Sequence, residues 1–327
     1  MATIKDVAKH SNVSIATVSR IINNRGPISS ITRQKVYDSM KILNYQPNEM
    51  ARALQKQKSN MIGLIVPSIE YAFFSRLIEA IEETCHNNGY KLLLCRSGEN
   101  EDRELEMVSM LESNKVDGII LCSRLGDASI YAGKTMPIVS IDRNIEGFST
   151  VTSDNSNGGA LAAKELFKAG CKHPVLFGIK IPEYMAMNNR NVGFFEECKK
   201  LGMNPLYLCA SDLLLDEGSI VQSFLKGMDQ YQDADGLFIT GDMLAARIIC
   251  NQEVRNKGII DRIPVISYDG LEISELLDIT TIAQPIYDMG VCATEQVIRG
   301  IEGKVMHTSS VLPVRLIERH STRKYKS

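Results

Sequence analysis

From Met61 to the end, short apolar runs alternate with longer amphipathic stretches, and this alternation leaves few folds open. Met61–Val66, Lys91–Cys95, Asp117–Leu121 and Pro137–Ile141 have the length and apolar content of buried strands. Between them, Phe74–Asn88 and Glu101–Asn114 carry helical periodicity. A second series follows, with strands at Pro174–Gly178, Pro205–Leu208, Gly236–Ile239 and Pro264–Ser267 and helices at Asn157–Ala169, Asn191–Leu201, Glu217–Tyr231 and Asp242–Lys257. Strands separated by helices form parallel sheets, so this region should fold as two similar α/β halves. With 327 residues and 44% hydrophobic content the chain has material for two or three cores.

The first 60 residues are of another kind. They hold 10 basic and 3 acidic side chains, a net +7, whereas the remainder carries 27 basic and 36 acidic, a net −9. A basic head on an acidic body points to a nucleic-acid partner for the head. Thr3 and Asp6 form a variant capping box for a first helix, with Ile4, Val7 and Ala8 as its apolar stripe. Ser11-Asn12 breaks that helix, because Asn tolerates the left-handed backbone of a tight turn, and Ser14 caps a second one. There Val18, Ile21 and Ile22 face inward, which leaves Ile15, Ala16 and Arg20 outside, with Ser14 and Thr17 at the helix start. A third helix over Thr32–Asn44, capped by Ser29 or Ser30, turns Val36, Met40 and Leu43 to the same core. Two short helices across so tight a turn read as helix-turn-helix. The outward residues suit a major groove, where Arg bridges O6 and N7 of guanine and Ile or Ala meets a thymine methyl.

The stretch Thr3–Asn24 closely resembles the DNA-binding signature of the lactose-repressor (LacI/GalR) family of bacterial transcription regulators. The resemblance continues through Asn44–Asn48 and Ala51–Leu54 and returns in Thr281–Pro285 and Arg315–Arg319. One departure is Asn12, where many members have Gly, and Asn serves the same turn. The resemblance implies a head at 1–46, a hinge helix and linker at 47–60, and a periplasmic-binding-protein-like effector and dimerisation domain at 61–327. In that fold the first half takes about 61–155 and 285–310, and the second about 156–284 and 311–327. The chain would cross between halves near Asn155, near Gln284 and before a closing strand Val311–Ile317. Leu54 matches a hinge leucine that relatives drive into the minor groove, a wedge that bends DNA. The expected DNA-contacting set is Thr3, Ser14, Ile15, Ala16, Thr17, Arg20 and Asn23, with Asn48, Ala51 and Leu54 in the hinge.

Open α/β sheets bind ligands beyond the carboxyl ends of their strands. There stand Ser68, Tyr71, Phe73 and Phe74, then Asp142 and Arg143, then Asp242 and Asp269, while Arg190 lies ahead of another helix. Carboxylates and guanidinium groups divide the donors and acceptors of sugar hydroxyls, and an aromatic ring covers a sugar's apolar face. The expected effector set is therefore Phe73, Phe74, Asp142, Arg143, Arg190, Asp242 and Asp269, of which Phe73, Arg190, Asp242 and Asp269 match effector-contacting positions of the family. Ser140–Asn144, Ser153–Asn155, Gly158-Gly159 and Gly170–Pro174 look most like sucrose-operon and related sugar repressors. That similarity implies a fructose- or sucrose-type effector, with ribose or another small sugar behind it.

Other chemistries find little footing. Gly133-Lys134-Thr135 imitates the end of a phosphate-binding loop, but Ala128 stands where its first glycine is needed. The histidines at 10, 86, 173, 307 and 320 are scattered, and the eight cysteines form no C-x-x-C pair, so no metal site is expected. No apolar run approaches the ~18 residues of a membrane span. The charged start Met1–His10 argues against a secretory signal and for the cytoplasm. A transport receptor or a sugar-active enzyme could use the same α/β fold. The basic head favours instead a repressor, active as a homodimer or tetramer on double-stranded operator DNA, needing no cofactor and released by a small sugar.

Overall fold

The computed structural model describes residues 2–46, 58–98, 100–122, 131, 133–145, 147–210, 217–306 and 309–325. Asn48, Ala51 and Leu54 lie outside the described residues. The chain divides into two units, Met1–Asn60 and Met61–Ser327.

In the first unit three helices, α1 (Ile4–Ser11), α2 (Ile15–Ile22) and α3 (Ser30–Ile42), enclose a core of Val7, Ala8, Val18, Ile21 and Val36. So small a core depends on its helix ends. The Thr3 amide and hydroxyl both donate to Asp6 Oδ2 at 2.8 Å, which holds the Asp6 carboxyl below its usual range. Asn12 takes the left-handed turn at φ 52°, and Ser14 Oγ accepts from the Thr17 amide at 3.0 Å. Of the two serines offered for α3, Ser29 is the cap, accepting from the Thr32 amide at 3.2 Å.

The second unit holds two six-stranded sheets. The first runs β11 (Ser309–Leu312), β5 (Ser149–Ser153), β4 (Ile138–Ile141), β3 (Gly118–Leu121), β1 (Met61–Val66) and β2 (Lys91–Arg96), all parallel. In the second, β12 (Arg315–Ile317), β10 (Thr280–Ala283), β9 (Val265–Asp269), β8 (Gly236–Ile239), β6 (Pro174–Ile179) and β7 (Leu206–Ala210), only the edge strand β12 is antiparallel. Both sheets are covered on both faces, which explains the near-continuous apolar strands. Along β1, Ile62, Leu64 and Val66 enter one core and Ile65 another, and along β6 Val175 and Phe177 part company with Leu176 in the same way. On the first sheet α4 (Ala72–Asn87) packs with α13 (Ile286–Ile301); on the second, α6 (Asn155–Lys168) packs with α7 (Asn189–Lys200). Among the described residues no helix is long and apolar enough to cross a membrane.

Several elements differ from expectation. β5 is almost all Ser and Thr, yet its five residues are buried, because its hydroxyls find partners inside: Thr150 Oγ1 lies 2.9 Å from Ser140 Oγ, and Thr152 donates to Asp142 Oδ1 at 2.8 Å. β10 and α13 are not among the expected strands and helices. The closing strand Val311–Ile317 is two strands, since Pro313 removes a backbone donor and the chain changes sheets there. Val311 and Leu312 thus belong to the first sheet, beyond the boundary at 310. The helix over Asp242–Lys257 is also two, α9 (Asp242–Cys250) and α10 (Gln252–Lys257). Asn251 breaks it with extended backbone and caps the second piece, accepting from the Glu253 and Val254 amides at 2.9 and 3.3 Å.

Candidate functional site

On the head, the face of α2 turned away from the core is open. Ile15 is 45% exposed, Ala16 and Arg20 are exposed beside it, and among the described residues nothing holds the Arg20 guanidinium. Ser14 and Thr17 are tied into the cap, their hydroxyl oxygens 2.8 Å apart. Asn23 donates from Nδ2 to the Ser19 carbonyl at 2.9 Å, so part of its hydrogen-bonding capacity serves its own helix. Thr3 is exposed at the start of α1. This is a short helix with two apolar side chains and one long cationic fork presented together, the shape and chemistry of a major-groove reader.

In the body a cleft of about 1060 Å³, counted out to its open mouth, lies at the carboxyl ends of the strands of both sheets. Phe73, Phe74, Asp142, Arg190 and Asp269 all line it, as expected, together with Tyr71, Met185, Met187, Arg247 and Gln284. Arg190 is fixed by a close crossing of two helices: a Cβ at Gly159 would come 1.9 Å from the Arg190 carbonyl oxygen, and one at Gly193 would come 2.0 Å from that of Ser156. The side chain is 2% exposed, with its guanidinium carbon 3.8 Å from the centre of the Tyr268 ring. Nε donates to Asn155 Oδ1 at 3.1 Å and Nη1 to the Thr240 carbonyl at 2.8 Å; Nη1 also lies 3.8 Å from Asp269 Oδ1.

Asp269 ends its strand with φ 118°, and Asp142 follows β4 with φ 56°, so both cleft carboxylates occupy backbone that non-glycine residues rarely adopt. Burial pushes the Asp269 carboxyl up to about 7, while Arg190 pulls it down and the Asp242 charge adds to the rise. Phe73 is half-buried against Phe74, edge to face at 5.3 Å, and Phe74 itself belongs to the core of the first half.

Two expected effector residues stand elsewhere. Asp242 is fully buried and does not line the cleft. Its Oδ1 accepts from Ser267 Oγ at 2.5 Å and Thr281 Oγ1 at 2.8 Å, and Oδ2 accepts from the Leu271 amide at 2.6 Å. A carboxylate with those donors is a strut, and it pins the turn that keeps Asp269 in its unusual backbone; burial still raises its pKa. Arg143 turns into the first half, where Nη1 lies 3.9 Å from Glu104 Oε1 and its guanidinium carbon 5.9 Å from the Tyr131 ring centre. Tyr131 donates its hydroxyl to the same carboxylate. What reaches the cleft is the backbone beside it, where the Asp142 carbonyl accepts from the Ala186 amide at 3.1 Å.

Neither Gln284 nor Asn155 is in the expected effector set, although both stand at expected crossings. Gln284 directly follows β10, so the rule that selected Asp142 and Asp269 would have found it had that strand been recognised. Two carboxylates, two guanidinium groups and an amide set among Tyr, Phe and Met can bind a small polyol, dividing its hydroxyls while covering its apolar face. Among the described residues no cluster of three or more His, Cys, Asp or Glu side chains is placed to hold a metal ion.

Comparison with known proteins agrees with both regions. Residues 3–48 match the family model of bacterial regulatory proteins, lacI family, and residues 59–318 that of periplasmic binding proteins and sugar binding domain of LacI family. The sucrose operon repressor of Streptococcus mutans is 35% identical over 326 residues, covering 98% of this chain and 99% of that one. The ribose operon repressor of Halalkalibacterium halodurans is 33% identical over 328 residues, covering 99% and 98%. A periplasmic binding protein/LacI transcriptional regulator from Alkaliphilus metalliredigens, complexed with D-xylulofuranose, superposes with a TM-score of 0.72 at 30% identity, over 80% of this chain and 99% of that one. The lac repressor dimer bound to operator and the anti-inducer ONPF shares the fold over 98% and 99%, with a TM-score of 0.87 at 23% identity. With head and body alike accounted for, the chain belongs to the lacI family of bacterial regulatory proteins, and is a DNA-binding transcriptional regulator rather than an enzyme.

Proposed function

We propose that this regulator is a cytoplasmic repressor of a sugar-utilisation operon, bound as a dimer to a roughly palindromic operator and released by a small sugar of fructose or sucrose type in its cleft. The observation that carries the reading is the facing of Arg190 and Asp269, from the second half, with Phe73 and Asp142, from the first, across one cleft. A ligand gripped from both sides stabilises one arrangement of the halves over another. It weakens DNA binding only by that difference in affinity, typically about 1–3 kcal/mol. Support for the sugar class comes from the D-xylulofuranose complex of one relative and from the sucrose operon repressor among the others. Ribose is the second reading, supported by the ribose operon repressors at 33% and 34% identity. Neither metal nor prosthetic group has a part in this mechanism.

The test is a thermal-shift screen of the full chain with D-fructose, sucrose, D-ribose, sugar phosphates and purines. Hits are then repeated against operator DNA recovered by selection from random sequence. A furanose-forming sugar should raise the melting temperature and lower operator affinity. Stabilisation by purines alone would sink the sugar reading, and a sugar that tightens the DNA complex would reverse its sign.

A further inference from the structure

Gln284 stands at the second crossing between the halves, 8% exposed, and its side-chain amide is used at both ends. Nε2 donates to Asp269 Oδ1 at 2.8 Å, and Oε1 accepts from Ser153 Oγ at 2.7 Å. Its backbone amide also donates to the Asp269 carbonyl, at 3.0 Å. Ser153 ends β5, beside the first crossing, where the next amide, Asp154, donates to the Leu312 carbonyl at 2.8 Å by the third crossing. One neutral side chain thus joins a cleft carboxylate of the second half to the carboxyl end of β5 in the first.

The chemistry is selective. Asp269 needs a donor and Ser153 an acceptor, and a carboxamide offers one of each, on two separate atoms of a single uncharged group. Glu would set a second carboxylate against Asp269, and Asn would fall a methylene short. A ligand hydroxyl that donates to Asp269 pulls on a carboxylate that Gln284 already holds by Oδ1. A shift of that carboxylate draws the amide along or breaks its bond, and either movement disturbs the acceptor on which Ser153 depends.

We infer that Gln284 is the positioning residue that couples occupancy of the cleft to the relative placement of the two halves, a role that rests on the sugar reading above. Ser153 does not line the cleft, so Ser153→Ala breaks the link at its far end without touching a ligand. Gln284→Met breaks both ends at nearly constant volume.

The test uses the full chain and both variants, shown to be folded by circular dichroism. Without sugar, amide hydrogen exchange at Gln284 should accelerate about tenfold or more in Ser153→Ala, although that substitution lies in the other half. An unchanged rate there overturns the linkage whatever the ligand. With D-fructose and sucrose as probes, Ser153→Ala should keep its calorimetric Kd within about threefold, and both variants should lose at least about fivefold of the operator-release ratio, within the span of ordinary couplings. A weakened Kd with an intact ratio would make Gln284 a plain ligand contact and overturn the inference. If the wild type binds neither probe, the choice of sugar fails, and the exchange rates still decide the linkage.

Discussion

The head exposes its candidate contact residues, whereas the body buries most of the charges proposed for its site. In the head, the core and the caps absorb Val7, Val18, Ile21, Val36, Ser14 and Ser29, and Ile15, Ala16 and Arg20 remain exposed, with no side-chain partner for Arg20 among the described residues. In the body, Arg143, Arg190 and Asp242 are each 2% exposed or less, and only Arg190 faces the cleft. A buried charge must be partnered wherever it lies, so a charge near a strand end serves structure or ligand with the same outward pattern. Exposure separates function from packing in the head, whereas only direction does so in the body.

The largest expected effect breaks this comparison at Asp242. Asp242→Ala strands the Ser267 and Thr281 hydroxyls and the Leu271 amide, and each buried group left unsatisfied costs about 1–3 kcal/mol. A loss of about 3 kcal/mol or more should lower the melting temperature by roughly 6–12 °C. Normal melting with weakened sugar binding would return Asp242 to the site. Asp269→Asn should do the reverse. It keeps the shape but removes a charged acceptor, so sugar affinity should fall by about 1.5–3 kcal/mol while operator affinity without sugar stays level. Superimposed release curves would make Asp269 a structural residue as well. On the head, Arg20→Ala should weaken specific binding by about 1–3 kcal/mol and relax preference at one base pair per half-site. An equal loss on every sequence would mean a phosphate contact.

The same contrast governs what could be read in the sequence. Caps, turn and stripe of the head are local patterns, and Thr3, Asn12, Ser14 and Ser29 stand where their chemistry demands. Apolar strands of the body were equally legible. β5 was not, because its hydroxyls become acceptable in a core only once Ser140 and Asp142 are brought beside it, which no local pattern records. Five of the seven expected effector residues line the cleft, four of them because the strand-end rule fixes position and Arg190 through the family resemblance. The rule does not fix direction, so Asp242 and Arg143 were grouped with them although each has partners from distant segments, Thr281 for one and Glu104 for the other. Gln284 escaped because the strand before it did.

The smallest effect sharpens the comparison through pH. Asp269 has a folded-state pKa of about 7 against an ordinary value of 3.8. Between those values the folded chain keeps a proton that the unfolded chain has lost, so this group's contribution to stability is full below pH 3.8 and is lost as pH rises through 7. Asp269→Asn should therefore gain on the wild type across that window, by at most ~1.4 kcal/mol per pH unit for one proton. Sugar binding should run the other way. A hydroxyl that donates to the carboxylate favours the ionised form, so wild-type affinity should rise by about tenfold, or ~1.4 kcal/mol, between pH 6 and 8. The Asn variant, with nothing to ionise there, should stay flat. Calorimetric titrations of both proteins at pH 6, 7 and 8 make the check. Parallel curves would mean that the sugar meets Asp269 in the same charge state throughout, and Arg190, 3.8 Å away, would then hold the carboxylate ionised against its burial.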